Sequence, residues 1–292
     1  MTVTEIDESL VSKLIAEQFP QWRDLPVRGV DRQGWDNRTF RLGDDLSVRM
    51  PSGQAYVDAV EKEERVLRFL GAELPRPVPS LVALGVPGAG YPHPWSVRNW
   101  LPGDTVENTP DLDRHQLARD LGEVLCAFRS LATDAGPAAG GHSHFRGCHP
   151  SVHSDQVDVA LQELGGQVDI DLCREIWLTA TTSVWRTDPV WFHGDFAEGN
   201  LLVEDGRLSA VIDFGACGIG DPACDLVMAW TYFSGQERTV FRKAAGLGDD
   251  AWQRARGWAL WKALATLAGL SSPDPEGIQT RILVEVLADP VV

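Results

Sequence analysis

Lysine is scarce in this sequence. Only Lys13, Lys62, Lys243 and Lys262 occur among 292 residues, and none follows a glycine. The phosphate loop G-x-x-x-x-G-K-[ST] is therefore absent, and any nucleotide must be held another way. Positive charge is short overall: 26 Lys+Arg stand against 42 Asp+Glu, a formal charge of −16. Such a field repels nucleic acid and anionic membranes and favours a cationic partner. No run approaches the roughly 18 apolar residues of a membrane helix. The start, Met1-Thr2-Val3-Thr4-Glu5-Ile6-Asp7-Glu8, lacks the basic-then-apolar pattern of a secretion signal. Five cysteines (Cys126, Cys148, Cys173, Cys217, Cys224) form no C-x-x-C pair, as expected of free thiols in a reducing compartment. These absences predict a cytoplasmic protein with no nucleic-acid or membrane partner. What is present, 43% apolar and 23% charged residues, suffices for one large core or two lobes without disulfides or a structural metal.

Periodicity places a short helix at 10–19. Two alternating runs at 38–42 and 46–50 flank Gly43-Asp44-Asp45 and read as a hairpin. A helix over 55–70 carries Val60, Leu67 and Leu70 on one stripe, with Gly71 as its stop. Glu63 falls on that same stripe, and a carboxylate facing a core needs a partner. A strand at 96–100 leads to Leu101-Pro102-Gly103, the expected lobe boundary. Thr109-Pro110 then reads as a helix start, with Leu117, Leu121, Val124, Leu125 and Phe128 on the buried face. Helical patterns follow at 154–165, 170–186, 220–233 and 250–270.

The exception lies at 190–215. Val190-Trp191-Phe192-His193-Gly194-Asp195 is followed by Asn200, then Leu201-Leu202-Val203-Glu204, Asp205-Gly206 and a returning strand ending Ile212-Asp213-Phe214-Gly215. Asp-Gly is a favoured two-residue hairpin turn. With Glu204 opposite Arg207, Asn200 faces Val211 and Asp213 lies two residues further along. Diagonal neighbours on one face of a ladder are roughly 7–8 Å apart. An amide oxygen and a carboxylate converging there suit a hard divalent cation such as Mg²⁺, and Asp195 enters the same hairpin.

His193-Gly194-Asp195-x-x-x-x-Asn200, Ile212-Asp213-Phe214-Gly215 and Gly220-Asp221-Pro222-x-x-Asp225-Leu226 resemble the aminoglycoside phosphotransferase family, relatives of the protein kinases. The resemblance implies an α+β, bilobal, protein-kinase-like fold. Residues 1–100 would form a strand-rich nucleotide-binding lobe with one main helix. Residues 101–292 would form a mostly helical catalytic and substrate-binding lobe with a catalytic hairpin. It further implies that Asp195 is the catalytic base, that Asn200 and Asp213 hold Mg²⁺ on the nucleotide phosphates, and that His193 and Asp225 support the loop. Arg49, in the family position often held by lysine, would grip phosphates and pair with Glu63. Gly34 and Asn37, in Gly34-Trp35-Asp36-Asn37, would belong to the loop over the phosphates, and the Asn99 carbonyl and Leu101 amide would hold the base. The implied reaction moves the γ-phosphate of ATP or GTP to a hydroxyl of a small molecule, a cationic antibiotic such as an aminoglycoside, by a monomer or homodimer.

Other readings compete. A metabolite or macrolide kinase would share these motifs, since acceptor choice lies elsewhere. Intact Asp195, Asn200 and Asp213 argue against a non-catalytic nucleotide-binding module, in whose favour Arg49 is the only feature. A protein kinase is disfavoured because Gly220-Asp221-Pro222 follows Asp213 too soon for a long activation loop. Asp158, Glu163, Asp169, Asp171 and Glu175 are candidates for an acidic substrate rim. His142, His144, Cys148, His149 and His153 cluster within twelve residues, but their spacing matches no usual structural zinc pattern; a polar loop near the substrate cleft is expected instead. Trp252, Trp258 and Trp261 read as packing of the last helices.

Overall fold

The structure, a computed structural model, describes residues 5–290 apart from Arg32, Trp35 and Ala135. Trp35 of the expected phosphate-covering loop and Met1–Thr4 of the N-terminal reading thus lie outside the described residues. The chain forms two compact units, Met1–Gly103 with Ser209–Gly215, and Asp104–Leu208 with Ala216–Val292. The division therefore involves more than a break near residue 100. The chain returns to the first unit at 209–215, where the Val211 amide donates to the Pro77 carbonyl at 3.2 Å and the Lys62 ammonium to the Gly215 carbonyl.

In the first unit, α1 (Glu8–Gln18) starts at Asp7, whose carboxylate accepts the Leu10 amide at 2.8 Å. β1 (Val27–Gly29), β2 (Asn37–Leu42) and β3 (Leu46–Pro51) follow, then α2 (Val57–Glu73), β4 (Leu81–Gly85) and β5 (Trp95–Asn99). The strands form one antiparallel sheet in the order β1-β2-β3-β5-β4. Gly43, at φ 63°, turns the β2–β3 hairpin. Alternation sends Phe40, Leu42, Val48, Met50 and Val97 into a core with Leu10, Val11, Leu14 and Ile15 of α1. The intervening residue Arg49 takes the other face, opposite Ser96 in the register. α2 runs past the expected stop at Gly71, because Leu74 precedes a proline and is driven to ψ 146°, which ends the helix there.

In the second unit, β6 (Asp104–Thr105) precedes α3 (Arg114–Ser130). α3 starts later than the expected Thr109-Pro110. The Asp113 carboxylate accepts the His115 and Gln116 amides, whereas the Thr109 hydroxyl donates to the Thr105 carbonyl. Next come α4 (Ser154–Leu164), α5 (Ile170–Thr182), β7 (Val190–Phe192), β8 (Leu201–Glu204) and β9 (Arg207–Val211), whose last residues pass into the first unit. Asp205 (φ 51°) and Gly206 (φ 75°) are both left-handed, the turn expected of Asp-Gly. β10 (Gly218–Gly220) pairs with β7. The expected helix at 220–233 is instead a 3₁₀ turn at Pro222–Leu226 and a short α6 (Met228–Thr231). Pro222 and the Asp221 cap set a start, but the aromatic run after it does not continue the helix. α7 (Gly235–Ala245), α8 (Asp249–Leu267) and α9 (Ile278–Ala288) complete the chain; α7 and α9 have no counterpart in the sequence reading. Nearly every residue of α8 from Ala251 to Thr266 is buried, including Trp252, Trp258 and Trp261, because α4, α5 and α9 all pack on it. Close approach of α5 demands Gly257, since a Cβ there would lie 2.4 Å from the Ala180 Cβ.

Gly257→Leu is therefore expected to overpack this contact and cost about 1–3 kcal/mol. Gly166→Ala, at a position with open space around it, should stay within about 0.5 kcal/mol. Urea denaturation followed by circular dichroism compares the two.

Candidate active site

The first unit holds a buried charge cluster. Glu63 projects from α2 and is 4% exposed. Its Oε1 accepts from Arg49 Nη1 at 2.8 Å and from Arg98 Nη1 at 2.9 Å, and its Oε2 accepts from Arg98 Nη2 at 3.1 Å. The register explains the convergence. Arg49 faces Ser96 across β3 and β5, and Arg98 lies two residues along β5 on the same face. Burial alone would raise the Glu63 carboxyl, but Arg49 and Arg98 outweigh it and bring the pKa down to about 2. Burial likewise works against the Arg49 guanidinium, while Glu63, Asp213 and Asp36 hold its pKa above the ordinary value. The second fork nitrogen of Arg49, Nη2, lies 3.6 Å from Asp213 Oδ1.

Asp213 sits at φ 65°, a conformation that costs a non-glycine residue about 1–3 kcal/mol and is characteristic of functional positions. A Cβ on Gly215 would lie 3.5 Å from Asp213 Oδ1 and 3.7 Å from Asp36 Oδ2, so two carboxylates border one glycine. Burial, then the charge of Asp213, raises the Asp36 pKa. Of the expected nucleotide residues, Gly34 is exposed and its carbonyl accepts from Arg38 Nη1 at 2.5 Å. Asn37 opens β2 opposite Pro51. Asn99 ends β5, where its side-chain oxygen accepts from the Ser80 hydroxyl at 3.0 Å. Leu101 follows half-buried, beyond the last strand residue.

The second unit holds the His193–Asn200 loop. Asp225 is 1% exposed; its Oδ2 accepts the His193 amide and its Oδ1 the Gly194 amide, both at 2.7 Å. Burial raises the Asp225 carboxyl to about 6, against the pull of His193 and the two amides. His193 is fully buried, its ring 4.7 Å from that of Phe196, and its Nδ1 accepts the Asp195 amide at 3.2 Å. Gly194 turns the chain at φ 86°, where a Cβ would meet the Ala216 carbonyl at 2.9 Å. The loop thereby presents Asp195 exposed. Asn200 Nδ2 donates to the Asp195 carbonyl and to Asp195 Oδ2, each at 2.9 Å. That leaves the Asn200 amide oxygen, a hard donor, unused by any hydrogen bond among the described residues.

The donors fit magnesium in its usual mode, one or two carboxylates completed by phosphates and water. In the first unit Asp213, with Asp36 beside it across Gly215, offers carboxylate oxygens of that kind. Among the described residues no group of three or more His, Cys, Asp or Glu forms an all-protein cage, which that mode does not need. The histidine cluster is engaged otherwise: His142 with the Ala138 carbonyl, His149 with Ser151 and the Ser183 carbonyl, and His153 stacked on Trp261.

Sequence reasoning did not find Arg98, Asp36 or Arg254. Alternation puts Arg98 on the face of Ser96, but only the β3–β5 register brings that face to Arg49. Arg254 is fully buried and donates to Asp221 Oδ2 at 2.5 Å from across the fold.

The model of the phosphotransferase enzyme family matches residues 29–258. The chain belongs to that family. It is similar to an aminoglycoside 3'-phosphotransferase from Escherichia coli, 28% identical over 128 residues. That match spans 41% of this chain and 39% of the relative, well under two thirds of its length. Among solved structures, the GDP complex of wild-type aminoglycoside 2'-phosphotransferase-IIIa superposes with a TM-score of 0.73 at 19% identity, covering 97% of this chain and 99% of that one. A macrolide 2'-phosphotransferase type I gives 0.65 at 21% identity, with 99% and 100% covered. An apoenzyme macrolide 2'-phosphotransferase from Brachybacterium faecium gives 0.61 at 21%, with 96% and 98% covered. The fold is thus the α+β, kinase-like fold of this family, with an antiparallel N-terminal sheet and a helical remainder.

Glu63→Gln is expected to destabilise this phosphotransferase-family chain by about 3–5 kcal/mol, because two buried arginines lose their counter-charge. The Glu63 pKa of about 2 lies below its ordinary 4.5. Its stabilising contribution is therefore complete above pH 4.5 and lost as pH falls from about 4.5 toward 2. Urea titrations from pH 7 down to 3 should show a steep decline in the wild type across that window and a flatter one in the variant.

Proposed function

We propose that the protein transfers the γ-phosphoryl group of ATP or GTP to a hydroxyl of a small molecule, as a cytoplasmic monomer or homodimer. The observation that carries this reading is the loop His193–Asn200. Asp225 pins both of its leading amides, and Asn200 ties the Asp195 carboxylate to the loop. Family membership supports it, as do the nucleotide and antibiotic names attached to the similar structures.

In this reading Asp195 accepts the hydroxyl proton and aligns the oxygen for in-line attack. Asn200 and Asp213 hold magnesium, which when bound neutralises charge on the transferred phosphoryl group. Arg49, clamped by Glu63, directs its second fork nitrogen toward phosphate oxygens. Arginine in place of lysine keeps the charge permanent and gives a planar fork instead of a point charge. Gly34 and Asn37 border the phosphates, and the Asn99 carbonyl with the Leu101 amide holds the purine edge. The names of the relatives point to aminoglycoside or macrolide acceptors, and the overall charge of −16 accords with a cationic one.

Asp195→Asn should lower phosphoryl transfer by about 10²–10⁴-fold and leave nucleotide affinity within a few-fold, since the carboxylate serves the acceptor. Asp213→Asn should damage affinity and turnover together. Calorimetric nucleotide titration and coupled turnover assays of both variants separate the roles. Equal loss of nucleotide affinity in both would make Asp195 a metal ligand, and full turnover in Asp195→Asn would end the kinase reading of the loop.

A further inference from the structure

Glu63 accepts from two arginines, and they do not hold it alike. Arg98 takes the whole carboxylate edge, with Nη1 on Oε1 at 2.9 Å and Nη2 on Oε2 at 3.1 Å. Its Nε donates to the Ser96 hydroxyl at 3.3 Å, so all three nitrogens of that guanidinium are engaged. Arg98 is 2% exposed on β5, an interior strand between β3 and β4. Glu63 is its carboxylate partner, and it has no other among the described residues. Arg49 makes a single bond to Glu63, from Nη1 to the same Oε1 at 2.8 Å. Its Nη2 stands 3.6 Å from Asp213 Oδ1, too far for a hydrogen bond.

This division of labour has a steric side and an electrostatic one. A carboxylate offers one edge to a planar fork. Arg98 occupies that edge, so Arg49 cannot lay its own fork flat on Glu63. The triad also holds two positive charges and one negative. Arg98 neutralises Glu63, and the charge of Arg49 is left over. Without Arg98, Glu63 would be a buried carboxylate short of donors, and Arg49 is the cation already bonded to it. The cost of a half-paired buried charge would then draw the Arg49 fork onto Glu63 and away from Asp213. The pair that remained would be neutral. Arginine at position 49 creates this need: an ammonium is a point charge, whereas a guanidinium has a fork that a lone carboxylate captures bidentately.

We propose that Arg98 is a positioning residue for the nucleotide phosphates: by filling the Glu63 edge, it keeps the Arg49 fork and one uncompensated positive charge available to them. Arg98 acts only through Glu63 and Arg49, since its own nitrogens are spent. This role rests on the phosphotransferase reading for the contact between Arg49 and phosphate, and on the hydrogen bonds of the triad for everything else.

Calorimetric titration of the full-length protein with ATP, ADP or adenosine in the presence of Mg²⁺ tests it, with the guanine series in parallel. Arg98→Met is expected to weaken ATP and ADP roughly 10- to 100-fold and to leave adenosine within about 2-fold, because base and sugar do not use the Arg49 fork. Arg98→Lys, which restores the counter-charge, should recover most of the ATP affinity. Glu63→Gln added to Arg98→Met should recover it as well, since a neutral amide does not capture Arg49. A merely structural Arg98 would move nucleoside and nucleotide alike, and the double variant would be worse than the single one. Equal weakening of all three ligands, no weakening of any, or no recovery in the double variant overturns the positioning role. Circular dichroism establishes which variants fold. If Arg98→Met does not, the double variant carries the test, and ATP affinity there as low as in Arg49→Met overturns the role. Arg49→Met also separates this inference from the reading beneath it. Lost ATP affinity in Arg49→Met with none lost in Arg98→Met defeats the positioning role alone. Unchanged ATP affinity in Arg49→Met removes Arg49 from the phosphate site, and both fail together.

Discussion

One buried carboxylate organises the sheet and helix of the first unit. Glu63 sits on the apolar stripe of α2, a position that costs several kcal/mol unless the charge is paired. Two arginines from neighbouring strands answer it, and both can do so only because β3 and β5 pair with Arg49 opposite Ser96. The triad fixes α2 to the sheet, sets which way the Arg49 fork points, and leaves Nη2 directed at Asp213. Arg98 carries the bidentate half of the pairing. Arg49, bonded to Glu63 through one nitrogen, retains donors for a ligand.

The second unit repeats the device with different partners. Asp225 accepts two successive backbone amides and so holds His193 and Gly194 in the turn that exposes Asp195. Asp221 pairs with the fully buried Arg254 of α8 and accepts the Ala223 amide. Asp120, also fully buried, binds Arg207 and the Leu208 amide at the start of β9. Each buried carboxylate anchors a loop or strand end, since an unpaired charge in that position would not be tolerated. Buried acids such as Asp225, Asp221 and Asp120 hold the chain around them in place, whereas Asp195 itself stands exposed. Net charge describes the protein as a whole and says little about the field at Asp195.

That distinction matters for the acceptor. Long-range attraction follows the total charge, whereas recognition follows the nearest few charges and hydrogen-bond donors. Around Asp195 the nearest donor the structure records is the Asn200 amide, at 2.9 Å from its carboxylate. One fold serves many acceptors, because acceptor choice depends on residues outside the shared motifs.

Sequence alone determined what depends on short-range spacing. The Asp-Gly turn, the β2–β3 hairpin and the strand alternation were legible because φ-positive turns and the two-residue strand period are local properties. The stray carboxylate of Glu63 was legible as a pairing problem because it stands out against an apolar stripe, whereas Arg49 as its partner followed from the family resemblance. Helix limits were less legible. Gly71 and Thr109-Pro110 carry genuine stop and start signals, yet the pre-proline geometry of Leu74 and the Asp113 cap decided where the helices end and begin. Arg98, Asp36 and Arg254 required the tertiary structure. Their significance lies in proximity across strands, helices and loops, and proximity of that kind has no period in the sequence from which to be read.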